Sequence, residues 1–465
     1  MVASLLTPLT NGIQDEKLFS RISFGTFIKQ WKKTTRFATQ WHRIDFNSIP
    51  DFGKTTIIDI PTKGHLVGRS YLVTTLPAIT VQDQYPQYSY CHSVGHALLE
   101  DMQVLLGGRK VDHLNSRLLE IKDEFGTRIE NVDLVNSLIG RAPAPGVAGL
   151  VPQTLYIHLP FWFSGNDPHL WYPIDAVNVD KLSVQVKFRS IDDISVTESV
   201  LPTISNCKYT CTPRYVADPA GVEIPGLDPS NPSQTFSEVE WQTKPTLGET
   251  YLLVEYIYLD TYEANRLRVS PIEIPIPQHV VLPTYNTGKG SASARIPLRI
   301  GNPTKSIYFF AQNPRADEIS NFFSSSTDPT VIPSLRGPIR SCDEPITAVA
   351  LVYNNGQVRY QTTYMDLFRR VLPAFECTKA PIYNQYFYYM GFDVGNHDRR
   401  IGIPGGEANF DKLTGAELRL DLQGVGAGGA TGVSPATDEY NIYIYAITYN
   451  ILSIYGGRAG LLFAY

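Results

Sequence analysis

The feature that most constrains this chain is strict alternation over short stretches, met twice in the same order. LSVQVKFR (182–189) puts Leu182, Val184, Val186 and Phe188 on one face and Ser183, Gln185, Lys187 and Arg189 on the other. GAELRLDLQ (415–423) sets Leu418, Leu420 and Leu422 against Glu417, Arg419 and Asp421 in the same way. A period of two is that of a strand with one buried and one wet face.

The surroundings repeat as well. DMQVLL (101–106) meets Gly107-Gly108, continues as RKVDHL, and leads to a helix with Leu114, Leu118, Ile121 and Phe125 on one face and Gly126 at its end. In the second half ITAVALVY (346–353) meets Asn355-Gly356 and is followed by QVRY and the helical TTYMDLFRRVL. Both dipeptides are hairpin signals, because such turns need positive φ. From Gly108 to Gly356 the offset is 248 residues, and YNIYIYAITYNI (440–451) echoes YLLVEYIYLDTY (251–262) at an offset of 189. The difference of 59 is close to the length of 190–248, a stretch rich in Pro, Ser, Asp and Thr and too long for an ordinary connector, so it reads as an elaborated surface loop in the first of two copies. TTIIDIP (55–61), HLVGRSYLVTTLPAI (65–79) and TLYIHL (154–159) add further strands.

Composition supports the same class. With 27 Tyr, 21 Phe, 35 Gly and 33 Pro but only 18% charged residues, the chain is rich in strand and turn formers and poor in charged helical surface. The expected fold is all-β, two β-sandwiches in tandem. One helix stands apart: FIKQWKKTTRF (27–37) places Phe27, Ile28 and Trp31 on one face and Lys29, Lys32, Lys33 and Arg36 largely on others. It reads as a basic amphipathic helix, either packed on its own domain or turned toward an acidic partner or membrane surface.

Several function classes are disfavoured. Forty Lys and Arg against 45 Asp and Glu give a net charge of −5, so no global field exists to hold nucleic acid. No long apolar run or secretory leader is evident. Five cysteines (Cys91, Cys207, Cys211, Cys342 and Cys377) are too few and too scattered for a disulfide scaffold. Asn231 and Asn302 would open glycosylation sequons but are followed by Pro.

The chemical motifs fail on context. Gly424, Gly426 and Gly429 match G-x-G-x-x-G, yet the chain runs on into a strand rather than the helix that would hold a pyrophosphate. Gly53-Lys54-Thr55 ends like a P-loop but leads into TTIIDI. His92 and His96, beside Cys91, are four residues apart as metal ligands can be, and Cys207 and Cys211 are spaced C-x3-C, but neither pair has a second cluster to complete a tetrahedron. No catalytic, cofactor-binding or metal-binding residue is assigned, no cofactor is expected, and the chain is expected not to be an enzyme.

The segments 50–79, 91–121 (CHSVGHALLEDMQVLLGGRKVDHLNSRLLEI) and 158–167 (HLPFWFSGND) resemble, in order, the first jelly roll of major capsid proteins of nucleocytoplasmic large DNA viruses. LLVEYIYLDTYEANRLR (252–268) is similar to the strand that closes that unit and leads to the next, and 295–314, 381–392, 408–422 and the C-terminal NIYIYAITYNILSIYGGRAGLLFAY are similar to the second. The resemblance implies two tandem eight-stranded antiparallel jelly rolls, here 1–268 with an N-terminal arm and the 190–248 loop, and 269–465. It also implies a homotrimeric, pseudo-hexameric capsomer that tiles an icosahedral shell, with 190–248 on the outer surface. The implied partners are further copies of the chain, neighbouring capsomers, minor capsid and penton proteins and, through residues 1–45, an internal membrane, with no direct nucleic-acid contact. Location in the virion, after synthesis in the host cytoplasm, follows from the same resemblance. A minor capsid protein of the same fold, a carbohydrate-binding sandwich stacking sugars on Trp162 and Trp171, and a cupin-like metal enzyme using His92, His96 or His158 are the competing readings.

Overall fold

The computed structural model describes residues 36–78, 87–141, 152–165, 167–198, 211–212, 245–318, 320–329, 333, 343–353, 356–393, 406–413, 415–423 and 439–463. Sixteen strands build the walls. The first eight are β1 (Phe37–Asp45), β2 (Thr55–Asp59), β3 (Leu66–Leu76), β4 (Leu99–Leu106), β5 (Arg109–Asn115), β6 (Gln153–His158), β7 (Leu182–Phe188) and β8 (Thr250–Leu259). Helix Thr261–Val269 then leads to β9 (Ile272–Val281), β10 (Ser293–Pro297), β11 (Pro303–Gln312), β12 (Ile346–Val352), β13 (Val358–Thr362), β14 (Tyr388–Gly391), β15 (Glu417–Leu422) and β16 (Asn441–Tyr455).

The pairing order is the same in both halves. One sheet of the first half runs β1-β8-β3-β6 and the other β2-β7-β4-β5; the second half runs β9-β16-β11-β14 and β10-β15-β12-β13. Every pair is antiparallel. Each half is thus an eight-stranded jelly roll, in which the last strand enters between the first and third. A small separate sheet joins Gln87–Tyr90, Ser195–Glu198 and Cys211–Thr212.

Local chemistry explains the elements. In β7, Leu182, Val184, Val186 and Phe188 are buried, as Leu418, Leu420 and Leu422 are in β15. Gly107 and Gly108 have φ of 54° and 80° between the paired Leu106 and Arg109, so the β4–β5 hairpin has the positive-φ turn its glycines predict. Helix Ser116–Gly126 begins at Asn115, whose side chain accepts the Leu118 N–H, and buries Leu118, Ile121 and Phe125.

The extra residues of the first half are not confined to one loop. Offsets are 249 between Arg109 and Val358, 235 between Leu182 and Glu417, and 191 between Thr250 and Asn441. The surplus of the first half is therefore split between the connections after β5 and after β7. The expected 190–248 loop is also not wholly irregular: it opens with helix Ile191–Ile194 and strand Ser195–Glu198. Of the expected helix 27–37 only Arg36 and Phe37 are described, and Phe37 opens β1; Phe27, Ile28, Trp31, Lys29, Lys32 and Lys33 lie outside the described residues. Residues 37–45, expected to belong to an inward-facing arm, are sandwich wall.

Candidate functional site

The sandwiches do not hang from a linker. The first presents a shoulder made of β5 and the helix Ser116–Gly126, and the second lays the outer face of its β9-β16-β11-β14 sheet on it. Alternation along those strands is what makes this possible. Ile307, Phe309 and Ala311 of β11 face the second sandwich's own core, whereas Phe310 of the same strand belongs to the core of the first, with Tyr308 packed against that core. In β16, Ile442, Ile444 and Ala446 face inward, and Tyr443 and Tyr445 face the joint. A sheet buried on both faces explains the aromatic richness of YNIYIYAITY.

The shoulder supplies matching groups. The Phe125 ring centroid is 5.2 Å from Tyr308 and 6.0 Å from Tyr389. Arg117 lies over the Tyr443 ring at 4.2 Å and donates to Gln312 Oε1 at 3.0 Å and to Asp317 at 2.6 Å. Asp112, fully buried, accepts the His279 N–H at 3.0 Å and has both carboxylate oxygens 3.0 Å from His279 Nδ1; Gln278 donates to the Val111 carbonyl at 2.6 Å.

A second polar cluster fastens the segment before β14. The fully buried Glu120 carboxylate accepts from Arg141 at 2.5 Å, from Ser93 at 3.3 Å and from Asn384 Nδ2 at 3.1 Å, and lies 2.6 Å from His96 Nδ1. Arg141 also pairs with Asp123 at 2.9 Å. One turn on, Glu124 accepts the backbone N–H groups of Ile382 at 2.8 Å and Tyr383 at 3.2 Å. Burial alone would raise the Glu120 carboxyl, but the Arg141 guanidinium and the His96 bond bring it down to about 2. Glu124 has weaker compensation, and burial holds it above the usual carboxylate range. Separating the two sandwiches would strip these buried carboxyl groups of the Asn384, Ile382 and Tyr383 donors, so the cluster favours the arrangement seen.

The sequence-derived candidates scatter among structural roles. His96 is in the Glu120 cluster, His92 lies 6.1 Å from the Tyr383 ring, and His158 contacts Ser164 at 3.2 Å. Among the described residues no three His, Cys, Asp or Glu side chains are grouped to hold a metal. Trp162 is buried in the first core, edge-on to Phe163 at 5.0 Å, so it offers no platform to a sugar; Trp171 packs against Phe37 at 6.1 Å. Gly53-Lys54-Thr55 is a turn into β2. Cys91 is buried in the first core, and burial pushes the Cys377 thiol up to about 12. Cys211 stands in a two-residue strand, while Cys207, Cys342 and Gly424 to Gly429 lie outside the described residues. The sequence reading missed Asp112, Arg117, Glu120, Glu124, Arg141 and His279. One signal was present: Glu120 and Glu124 are like charges one turn apart, unfavourable unless each has its own partner.

Two complete jelly rolls locked shoulder to face define the double jelly-roll class. Residues 25–260 match the family described as major capsid protein N-terminus, and 263–460 match large eukaryotic DNA virus major capsid protein. The chain therefore belongs to the major capsid proteins of large eukaryotic DNA viruses. It is 23% identical to the major capsid protein of Pyramimonas orientalis virus over 471 residues, covering all of both chains. In fold it is similar to PBCV-1 VP54 (TM-score 0.71, 17% identity, 95% of this chain and all of that one) and to the Faustovirus major capsid protein (TM-score 0.64, 11% identity, 98% and 97%).

Proposed function

We propose that three copies of this capsid protein close into a pseudo-hexameric capsomer, and that such capsomers tile an icosahedral shell. The observation that carries this reading is the duplication itself: two sandwiches of identical strand order, held in one fixed relation by a buried polar joint, give three chains six near-equivalent walls. The individual contacts between capsomers are modest and act through their number. Within the same reading, the shell partners are minor capsid and penton proteins. The segment carrying Lys29, Lys32, Lys33 and Arg36 faces an internal membrane, the insertion after Phe188 faces outward, and the protein is made in the host cytoplasm and works without catalysis.

Purified chain should run in solution at three times its 51.9 kDa mass and image with a six-cornered outline. A monomer with no tendency to associate defeats the proposal. Neutralising the four N-terminal cations should weaken binding to vesicles containing anionic lipid, and unchanged binding would remove the membrane assignment.

A further inference from the structure

The joint inside the chain uses one shoulder and one sheet face, and the duplication leaves one of each over. In the used pair, Phe125 is the next-to-last residue of helix Ser116–Gly126 and seats on Tyr308 and Tyr389, which are register partners on β11 and β14. The rings of Tyr308 and Tyr389 are 5.2 Å apart at 53°. Tyr71 occupies the corresponding position of β3, each being the sixth residue of its strand, and its register partner on β6 is His158. Those rings are also 5.2 Å apart, at 52°. The same seat exists on the first sandwich, on its outer face, with Trp41 alongside at 5.9 Å and 39% exposed.

A matching plug is also present. After β13, as after β5, a helical segment follows, and the next-to-last residue of helix Leu372–Glu376 is Phe375. Phe125 is 3% exposed and Phe375 is 68% exposed, with Val371 of the same shoulder 46% exposed. Phe375 and Val371 thus present exposed apolar surface together on one shoulder, and interface cores are enriched in aromatic residues.

We propose that Phe375 of one copy packs on the paired rings of Tyr71 and His158 of a second copy, so that the contact between chains repeats the contact between sandwiches. The second copy is the occupant because the seat reproduces, ring for ring, the one that already takes a phenylalanine of this chain. The contact is head to tail, since shoulder meets seat and never shoulder, and a head-to-tail contact is what closes a ring. The inference rests on the closed-trimer reading and adds to it which faces meet.

Three full-length proteins test it by mass in solution: the unaltered chain, Phe375→Asp (plug impaired) and Tyr71→Asp (seat impaired). Far-ultraviolet circular dichroism checks folding, and Phe375→Ala with Tyr71→Ala replaces any variant that fails. Each variant alone should be monomeric at a concentration where the unaltered chain is trimeric. Mixed, they should give a two-chain species and nothing larger, because the intact plug of one fits the intact seat of the other while the remaining plug and seat are both spoiled. If either variant alone still forms trimers, or the mixture stays monomeric, the assignment of faces fails while the trimer stands. A monomeric unaltered chain removes both.

Discussion

Asp112 and His279 form a two-point polar contact between the two sandwiches: one carboxylate, fully buried, takes both the backbone N–H and the Nδ1 side of one histidine, each at 3.0 Å. Asp112 sits on β5 and His279 on β9, so this single residue ties the shoulder to the edge strand of the opposing sheet. Replacing Asp112 by Ala strands a buried backbone donor and a buried imidazole, and the expected loss is about 3–5 kcal/mol, with Asp112→Asn milder because it keeps an acceptor. Urea unfolding of the three proteins checks this, and equal midpoints would mean the bond contributes nothing to holding the halves.

Glu120 is expected to behave as a hub. Its neighbours Ser93 and His96, Arg141, and Asn384 come from three separate places in the chain, so Glu120→Ala leaves a buried guanidinium short of its counter-charge as well as an empty volume. A loss of about 3–5 kcal/mol is expected for Ala, and a smaller one for Gln. Limited proteolysis is the sharper readout: cleavage should rise in the segment around Asn384, which the cluster holds against the first sandwich.

The walls of this fold were legible because their signal is local. Leu182 to Phe188 and Leu418 to Leu422 announce their buried face by alternation alone, and Gly107-Gly108 announces its turn by backbone sterics. The joint was not legible, because it pairs residues such as Asp112 with His279 and Glu124 with Ile382, more than 150 positions apart, and nothing in a neighbouring residue reports such a partner. Alternation did place Tyr443 and Tyr445 on one face, but not whether that face meets water or protein. Trp162 meets the same limit: HLPFWFSGNDPHLW leaves open whether its indole stacks on a sugar or fills the first sandwich, and the fold buries it in the core.

Acid should weaken the folded chain in a defined window. Burial, reinforced by nearby Arg141, holds His92 at about 4 against an ordinary 6.5, and burial also lowers His158 and His279. The folded state then binds fewer protons than the unfolded chain, so stability falls as pH drops from about 6.5 toward 4, and below that the His92 contribution is exhausted. Glu120, held at about 2, extends the loss below its ordinary 4.5. Glu124 acts in the opposite sense, since its raised value favours folding on the acid side and that contribution is lost as pH rises through it. Thermal midpoints measured from pH 8 to pH 4 should therefore decline most below 6.5, and His92→Gln should flatten the upper part of the decline. An unaltered slope in that variant would show that His92 titrates no differently in the folded and unfolded chain.

The two hairpin glycines separate a backbone cost from a joint cost. Gly107 and Gly108 both have positive φ, which costs an L-residue about 1–2 kcal/mol, so alanine at either should destabilise to that extent. They differ in surroundings: a Cβ on Gly108 meets open space, whereas one on Gly107 would come within 2.7 Å of Asp180 Oδ1. The other oxygen of that carboxylate accepts the Ala459 N–H from the second sandwich at 3.0 Å, beside the Val179 to Gly457 bond at 2.9 Å. Gly107→Ala must therefore displace Asp180 and loosen the joint, and it should lower the thermal midpoint further than Gly108→Ala does. In an Asp180→Ala background the obstruction is gone and the two glycine substitutions should cost the same. If the gap between them persists without Asp180, the strain at Gly107 lies in the turn alone and the hairpin plays no part in holding the sandwiches together.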